Sequence, residues 1–215
     1  MPSSAQSAQQ SIVAIQTATG TALVITGITA ADPPVVSFTP GADPADGTII
    51  EIDGVVGMTE LNGRAYVTDN LSAGVSFELK GVRASGYTAY GSAGTATPLT
   101  MTEIANAKDF DLQPDEAPEY SRTNLRSVRQ EFAVGLAGSW TASFNYDVDT
   151  TDTGQAELEI AQDDGLSRGV SLTLASGAVF AGLGFVKSAS AAGSPDSDVS
   201  GTINVRGTGQ PTWFV

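Results

Sequence analysis

The sequence predicts a mainly-β, antiparallel protein with one short helix. Three observations predict it. Short runs alternate apolar and polar residues with a period of two. Gly, Asp, Asn and Pro punctuate those runs at close intervals. One stretch alone carries helix start and stop signals.

Residues 22–96 are strand-and-turn material with repeated Asp-Gly and Asn-Gly turn signals at Asp46-Gly47, Asp53-Gly54 and Asn62-Gly63. Strands are expected at Ile49–Ile52, Ala65–Thr68, Val75–Lys80 and Tyr87–Tyr90, spaced as in a small barrel or sandwich. The Ala/Thr-rich stretch Gly91–Thr97, closed by Pro98, reads as a junction. Beyond it, Trp140, Ala142, Phe144 and Tyr146 share one strand face and Thr141, Ser143 and Asn145 the other. Val170, Leu172 and Leu174 alternate with Ser171 and Thr173, and Ile203 and Val205 with Thr202, Asn204 and Arg206. One dry and one wet face is the habit of antiparallel sheets.

The helix is expected near residues 152–162. Asp152 opens it, Gln155 follows three positions later as in a capping box, and Gly165 is the stop. Asp163 and Asp164 lie at the wrong end of the helix dipole, so the helix is expected to end before them. Its apolar stripe is read as Ala156, Leu158, Ile160 and Ala161.

The 215 residues carry 10 Lys+Arg, 24 Asp+Glu, no His and no Cys, for a net charge of −14. Without His or Cys there is no Ser-His-Asp triad, cysteine nucleophile, thiolate-zinc site or disulfide. The acidic balance argues against wrapping a phosphate backbone. Met1–Gln10 has neither the basic nor the apolar region of a signal peptide, and no apolar run approaches the ~18 residues of a membrane span, so a soluble protein is expected.

Chemistry has few places to reside. Asp147, Asp149 and Asp152 space hard oxygens along a loop, but the central Gly and terminal Glu of an EF-hand are missing. A solvated strand-to-helix loop is the favoured alternative, and no metal or cofactor is expected. Asp196 and Asp198, after Pro195, read as a turn. Asp115, Glu116 and Glu119 could pair as glycosidase carboxylates, but nothing sets their separation. The stretch Glu119–Glu131 gathers Arg122, Arg126 and Arg129, three of the ten cations, with Leu125 and Val128 between them and Tyr120 at its start. It reads either as a projecting loop that docks on an acidic surface, above all another copy of this chain, or as a solvated helical turn.

Two stretches carry a family resemblance. Residues 101–215 resemble the tail tube (major tail) proteins of long-tailed, non-contractile bacteriophages. The resemblance runs through the arginine-bearing loop into Glu131-Phe-Ala-Val-Gly-Leu-Ala-Gly, through Trp140-Thr-Ala-Ser-Phe-Asn-Tyr-Asp147, and through the terminal strand Gly201–Thr212. Asp46–Val67, with Gly54-Val-Val-Gly-Met-Thr-Glu-Leu-Asn-Gly63 at its centre, is similar to a small β-module of phage tail proteins named for a half-domain of ubiquitin-activating enzymes. With no Cys, no thioester chemistry could accompany it.

The resemblance implies an antiparallel β-sandwich/barrel tube domain with one short helix, plus an inserted small all-β module. Residues 1–21 would be an N-terminal arm and the first tube strand, 22–97 the module, and 98–215 the tube domain. It implies a structural, non-enzymatic virion protein: a tail tube subunit in stacked hexameric rings around a DNA-conducting channel. Its partners would be copies of itself and other tail proteins at the tube ends. DNA would pass without specific binding, and the subunit would not insert in a membrane. It would reside in the virion tail after assembly in the host bacterial cytoplasm. Glu119, Tyr120, Arg122, Leu125, Arg126, Val128, Arg129, Trp213 and Phe214 become candidate contacts between rings or subunits. Thr141, Ser143, Asn145 and Asp147 become candidate channel-facing residues. Residues after Thr100 hold 16 acidic and 7 basic side chains, so the acidity is heavier in the tube part. The alternative from another class is a two-domain carbohydrate- or receptor-binding β-sandwich, for which Tyr66, Tyr87, Tyr90 and Trp213 are the aromatic supply.

Overall fold

A computed structural model describes residues 9–115, 119–121, 132–134, 139–194 and 197–215. The architecture is mainly β, with a closed antiparallel barrel and one α-helix. The chain enters on β1 (Ile12–Thr19) and passes at once into the barrel. Its strands are β2 (Leu23–Ile28), β3 (Val35–Phe38), β4 (Ile49–Asp53), β5 (Arg64–Ser72), β6 (Ser76–Leu79) and the start of β7 (Thr95–Glu103). They run in the order β2–β3–β6–β5–β4–β7, and Leu23 and Val24 pair back onto Ala96 and Thr95 to close the ring. Closure leaves the barrel with no open edge.

Alternation fills this barrel. Ile25, Val36, Ile50, Ile52, Tyr66, Phe77 and Leu79 point inward and are buried together. The Gly54–Gly63 turn is closed by Asn62, whose side-chain oxygen accepts from Val55 N at 2.9 Å while its amide donates to Val55 O at 2.9 Å. Met58 and Leu61 then drop into the core from the turn. One expectation needs correction here. Tyr87–Tyr90 is not a strand: Tyr87 and Tyr90 pack on the barrel core as plugs, and the Tyr90 hydroxyl donates to the Ile25 and Ala93 carbonyls. At the Gly91–Pro98 junction the chain is a strand rather than a loop from Thr95 on, and β7 runs straight through Pro98. Pro98 sits where β7 leaves β2 for β1, and its carbonyl accepts from Gly20 N at 2.7 Å. There the missing N–H is tolerated.

Past Pro98 the same strand builds the second sheet. β7 pairs with β1, and β1 pairs with β12 (Arg168–Thr173). The sheet continues through β13 (Val179–Ser194), β14 (Ser197–Thr212), β11 (Trp140–Asp147) and β8 (Ala107–Pro114). Both 16-residue strands pass through bulges, which bend a sheet. Val13, Ile15, Val170 and Leu172 from one half thereby share a core with Trp140, Phe144, Ile203 and Val205 from the other. β9 (Glu119–Ser121) and β10 (Phe132–Val134) form a separate two-stranded hairpin.

Helix α1 (Thr153–Asp164) packs on this core through Leu158 and Ala161. Asp152 caps it, its carboxylate accepting from Gln155 N at 2.7 Å. The reciprocal half of the capping box is absent. The Gln155 side chain instead accepts from Asp149 N at 2.8 Å and donates to the carbonyls of Ala105 and Asp147, each at 2.9 Å. The helix also runs two residues beyond the expected end. Asp164 meets Arg168 and accepts from Leu166 N at 2.7 Å, which offsets its unfavourable place on the dipole. The buried face is Gly154, Gln155, Leu158 and Ala161, so the expected stripe is corrected: Ala156 and Ile160 are exposed.

Barrel and sheet meet at a dry seam. Ile49, Ala65 and Val67 on the barrel exterior pack against Leu99, Ala181 and Leu183. The buried Thr212 hydroxyl donates to Ala65 O at 2.8 Å across it. This explains why Ala65, Tyr66, Val67 and Thr68 are consecutively buried: β5 is covered on both faces.

Candidate functional site

Strand parity sends the apolar residues of β11 into the core, so Thr141, Ser143, Asn145 and Asp147 lie on the opposite, outer face, each half-buried among its neighbours. Register places Gln113, Asp111 and Asp109 of β8 beside Thr141, Ser143 and Asn145. On the other side stand Arg206, Asn204 and Thr202 of β14. Ser188 and Ser190 of β13 complete the rows. The result is a four-stranded polar surface of short side chains.

That surface is internally hydrogen-bonded. Asn145 donates to Asp109 at 2.8 Å and accepts from the Thr202 hydroxyl at 2.6 Å. Asn204 donates to Ser188 at 3.0 Å, and Gln113 to Asp111 at 2.7 Å. Arg206 grips Asp115 with two guanidinium nitrogens, and Lys108 pairs with Asp147. A shallow depression of about 330 Å³ between Asp111, Ser143, Lys187 and Asn204 is open to solvent. Such a face is wet and largely bonded to itself, with the Lys187 ammonium at the depression the cation that has no carboxylate within ion-pair distance among the described residues.

The sheet ends on two strands that lack a further partner among the described residues. β8 pairs with β11 alone. β13 pairs with β12 only through Val179–Gly184, so its far half, residues 185–194, has β14 on one side alone. At Ala189 the outward N–H is met by the Gln162 side chain of α1 at 2.8 Å.

The proposed cation loop does not converge. Asp147 faces Lys108, Asp149 accepts from Thr151 N and its hydroxyl, and Asp152 is the helix cap. The Thr151 bonds hold the Asp149 carboxyl below its ordinary value. Among the described residues no three acidic side chains group as metal ligands. Asp115 is engaged with Arg206, whereas Glu116 lies outside the described residues. Glu119 and Tyr120 fall on β9, opposite Val134 and Ala133. Arg122, Leu125, Arg126, Val128 and Arg129 lie outside the described residues, as do Pro195 and Asp196.

Trp213 and Phe214 lie near their own chain's Phe180, with ring centroids 5.1 and 6.3 Å away. Both are still about 40% exposed (39% and 41%), a surface open to a neighbour. Val215 is tied to Val179 by two backbone hydrogen bonds of 3.1 Å. Of the tyrosines held in reserve for ligand binding, Tyr66 is fully buried and its hydroxyl donates to Leu61 O. Burial pushes that phenol far above its ordinary pKa. Tyr87 and Trp213 line a common cleft with Arg64 and Arg83, a juxtaposition the sequence did not signal.

No family model matches the chain, and no curated protein matches it. Among the described residues no helix is long and apolar enough to cross a membrane.

Proposed function

We propose that the chain is a tail tube subunit of a long-tailed bacteriophage, a structural protein whose copies join into rings and stack around a DNA-conducting channel. One observation carries the proposal: the β8–β11–β14–β13 sheet offers an unpaired strand edge on each side and a polar face between them. Two different edges on one subunit suit a head-to-tail contact, which closes into a ring when the rotation allows. Strand pairing between copies would also protect edges that a lone subunit leaves open to aggregation. Six-fold symmetry comes from the family resemblance. So do the virion location, the assembly in the host cytoplasm and the other tail proteins as partners.

On this arrangement Thr141, Ser143, Asn145 and Asp147 face the lumen with Asp109 and Asp111. Lys187 apart, the side chains are mostly short and bonded to one another, Lys108 and Arg206 are paired with carboxylates, and Asp109 and Asp111 repel phosphate, so DNA slides. No step of the proposed role requires a catalytic group.

Electron microscopy and sedimentation of the purified chain test the proposal, with Ala191→Pro as the informative variant. Ala189 directs its N–H away from β14, and so does Ala191 two residues on. Proline at 191 therefore removes no bond within the subunit and blocks pairing by a neighbour. Rings or tubes in the parent and well-folded monomers in the variant are expected. A parent that stays monomeric at every concentration overturns the assignment.

A further inference from the structure

The first hundred residues hold eight acidic and three basic side chains: Arg64, Lys80 and Arg83. Arg64 and Arg83 fall at one place, the barrel flank beside the C-terminal segment. Arg64 and Arg83 line its cleft, and Lys80 adjoins Gly81, which touches Val215. Among the described residues none of the three has a carboxylate within ion-pair distance, nor has Lys187 on the far sheet, whereas Lys108, Arg168 and Arg206 each have one. On a chain of net charge −14, two cations without a carboxylate partner lining one cleft, Arg64 and Arg83, stand out.

Arg64 is already oriented. Its Nε donates to Gln210 O at 3.0 Å, one terminal nitrogen donates to Glu60 O at 3.3 Å, and the guanidinium lies 5.3 Å from the Tyr66 ring centre. Arg83 is exposed, and Asp32, which feels its charge, is engaged with Ser85 N at 2.9 Å and the Ser85 hydroxyl at 2.7 Å. Tyr87, packed on the barrel core, and the half-exposed Trp213 add two aromatic side chains to the same cleft, with Pro211 near the end of β14. Its volume is about 300 Å³, at the lower bound for a small-ligand cleft.

We infer that this cleft binds a carboxylated glycan. Arg64 and Arg83 hold the carboxylate through charge-assisted hydrogen bonds, and Tyr87 and Trp213 provide apolar faces for the sugar rings. An extended acidic peptide is the less suitable occupant. Peptides commonly dock by adding a strand to a sheet edge, and the closed barrel beside the cleft has none.

A glycan array probed with the full chain tests the inference, followed by titration of trigalacturonate. Uronate- or sialate-bearing glycans should bind and neutral ones should not, with affinity falling as salt rises. Arg83→Gln changes an exposed side chain and leaves the fold intact; it should weaken trigalacturonate binding about tenfold. Trp213→Ala, checked for folding by its melting curve, should weaken it as well. The inference is overturned if no carboxylated glycan binds, if neutral glycans bind equally, or if Arg83→Gln binds like the parent. It is also overturned if a polyglutamate peptide binds as tightly, since the cleft would then be a site for acidic peptides. None of these outcomes depends on ring assembly.

Discussion

Gly81 and Val215 are in direct contact. A Cβ placed on Gly81 would lie 2.1 Å from Val215 Cγ1, and Gly81 adopts φ +69°. A residue of the barrel therefore leaves space for the last side chain of the sheet domain. Together with Thr212 bonded to Ala65, this contact fixes how the two β-units sit against each other.

Gly81→Ala should displace Val215 and loosen Trp213. The expected cost is about 2 kcal/mol, combining left-handed backbone strain with the lost contact. Gly47→Ala is the control. Gly47 has φ +84° but nothing within 4 Å of the added methyl, so about 1 kcal/mol of strain alone is expected. Urea unfolding gives both values, and a red shift of tryptophan emission should appear in the first variant alone.

Gly207→Ala should cost more. Trp140 is fully buried, and a Cβ on Gly207 would come within 2.2 Å of its indole ring. The indole is also held edge-on to Phe180, with centroids 5.1 Å apart. Overpacking at a site with no room to relax predicts a loss of about 3 kcal/mol, measured by denaturant unfolding.

Gln155→Ala should detach the Asp147–Asp152 loop from the core. Three backbone groups lose their partner at once: Asp149 N, Ala105 O and Asp147 O. A destabilisation of about 2–4 kcal/mol follows from leaving partly buried backbone groups unpaired. Hydrogen exchange should show faster exchange at Asp149 N before global unfolding. Protection equal to the parent would contradict this role.

Glu51 sits on the barrel exterior in register with Ala65, at the margin of the seam. Burial, and to a lesser degree the Asp53 carboxylate, raise its pKa above the ordinary value. The folded state then holds the proton to higher pH than the unfolded chain. Its stability falls as pH rises from the unfolded value, about 4.3, through the raised one, and the penalty is complete above that. Glu51→Gln should therefore melt higher than the parent at neutral pH, and the gain should vanish below about pH 4. A constant gain across that range would assign the effect to packing instead.

How much the sequence disclosed depended on how local the cause was. Period-2 alternation in Trp140–Tyr146 named the buried face of β11, and Asp152 and Gly165 marked the helix ends, because each signal acts within a few residues. Failures came where a distant partner decided. Asp164 stays helical because Arg168 meets it. Of the expected stripe Leu158 and Ala161 are buried, whereas Ala156 and Ile160 are exposed because the core meets the helix on the face of Gly154, Gln155, Leu158 and Ala161. Tyr87 and Tyr90 pack on the barrel core instead of pairing as a strand, with the Tyr90 hydroxyl bonded to the distant Ile25 carbonyl.

The sequence by itself determined the class: antiparallel β, one capped helix, and no His or Cys chemistry. The tertiary structure alone decided the rest. Barrel closure through Leu23 and Ala96, the passage of β7 from one unit to the other, and the meeting of Arg64, Arg83, Tyr87 and Trp213 all join residues far apart in the chain. Local propensity and alternation say which side of a strand is dry. Which strand comes to cover it is set by packing across the whole fold, and packing leaves no periodic mark on the sequence.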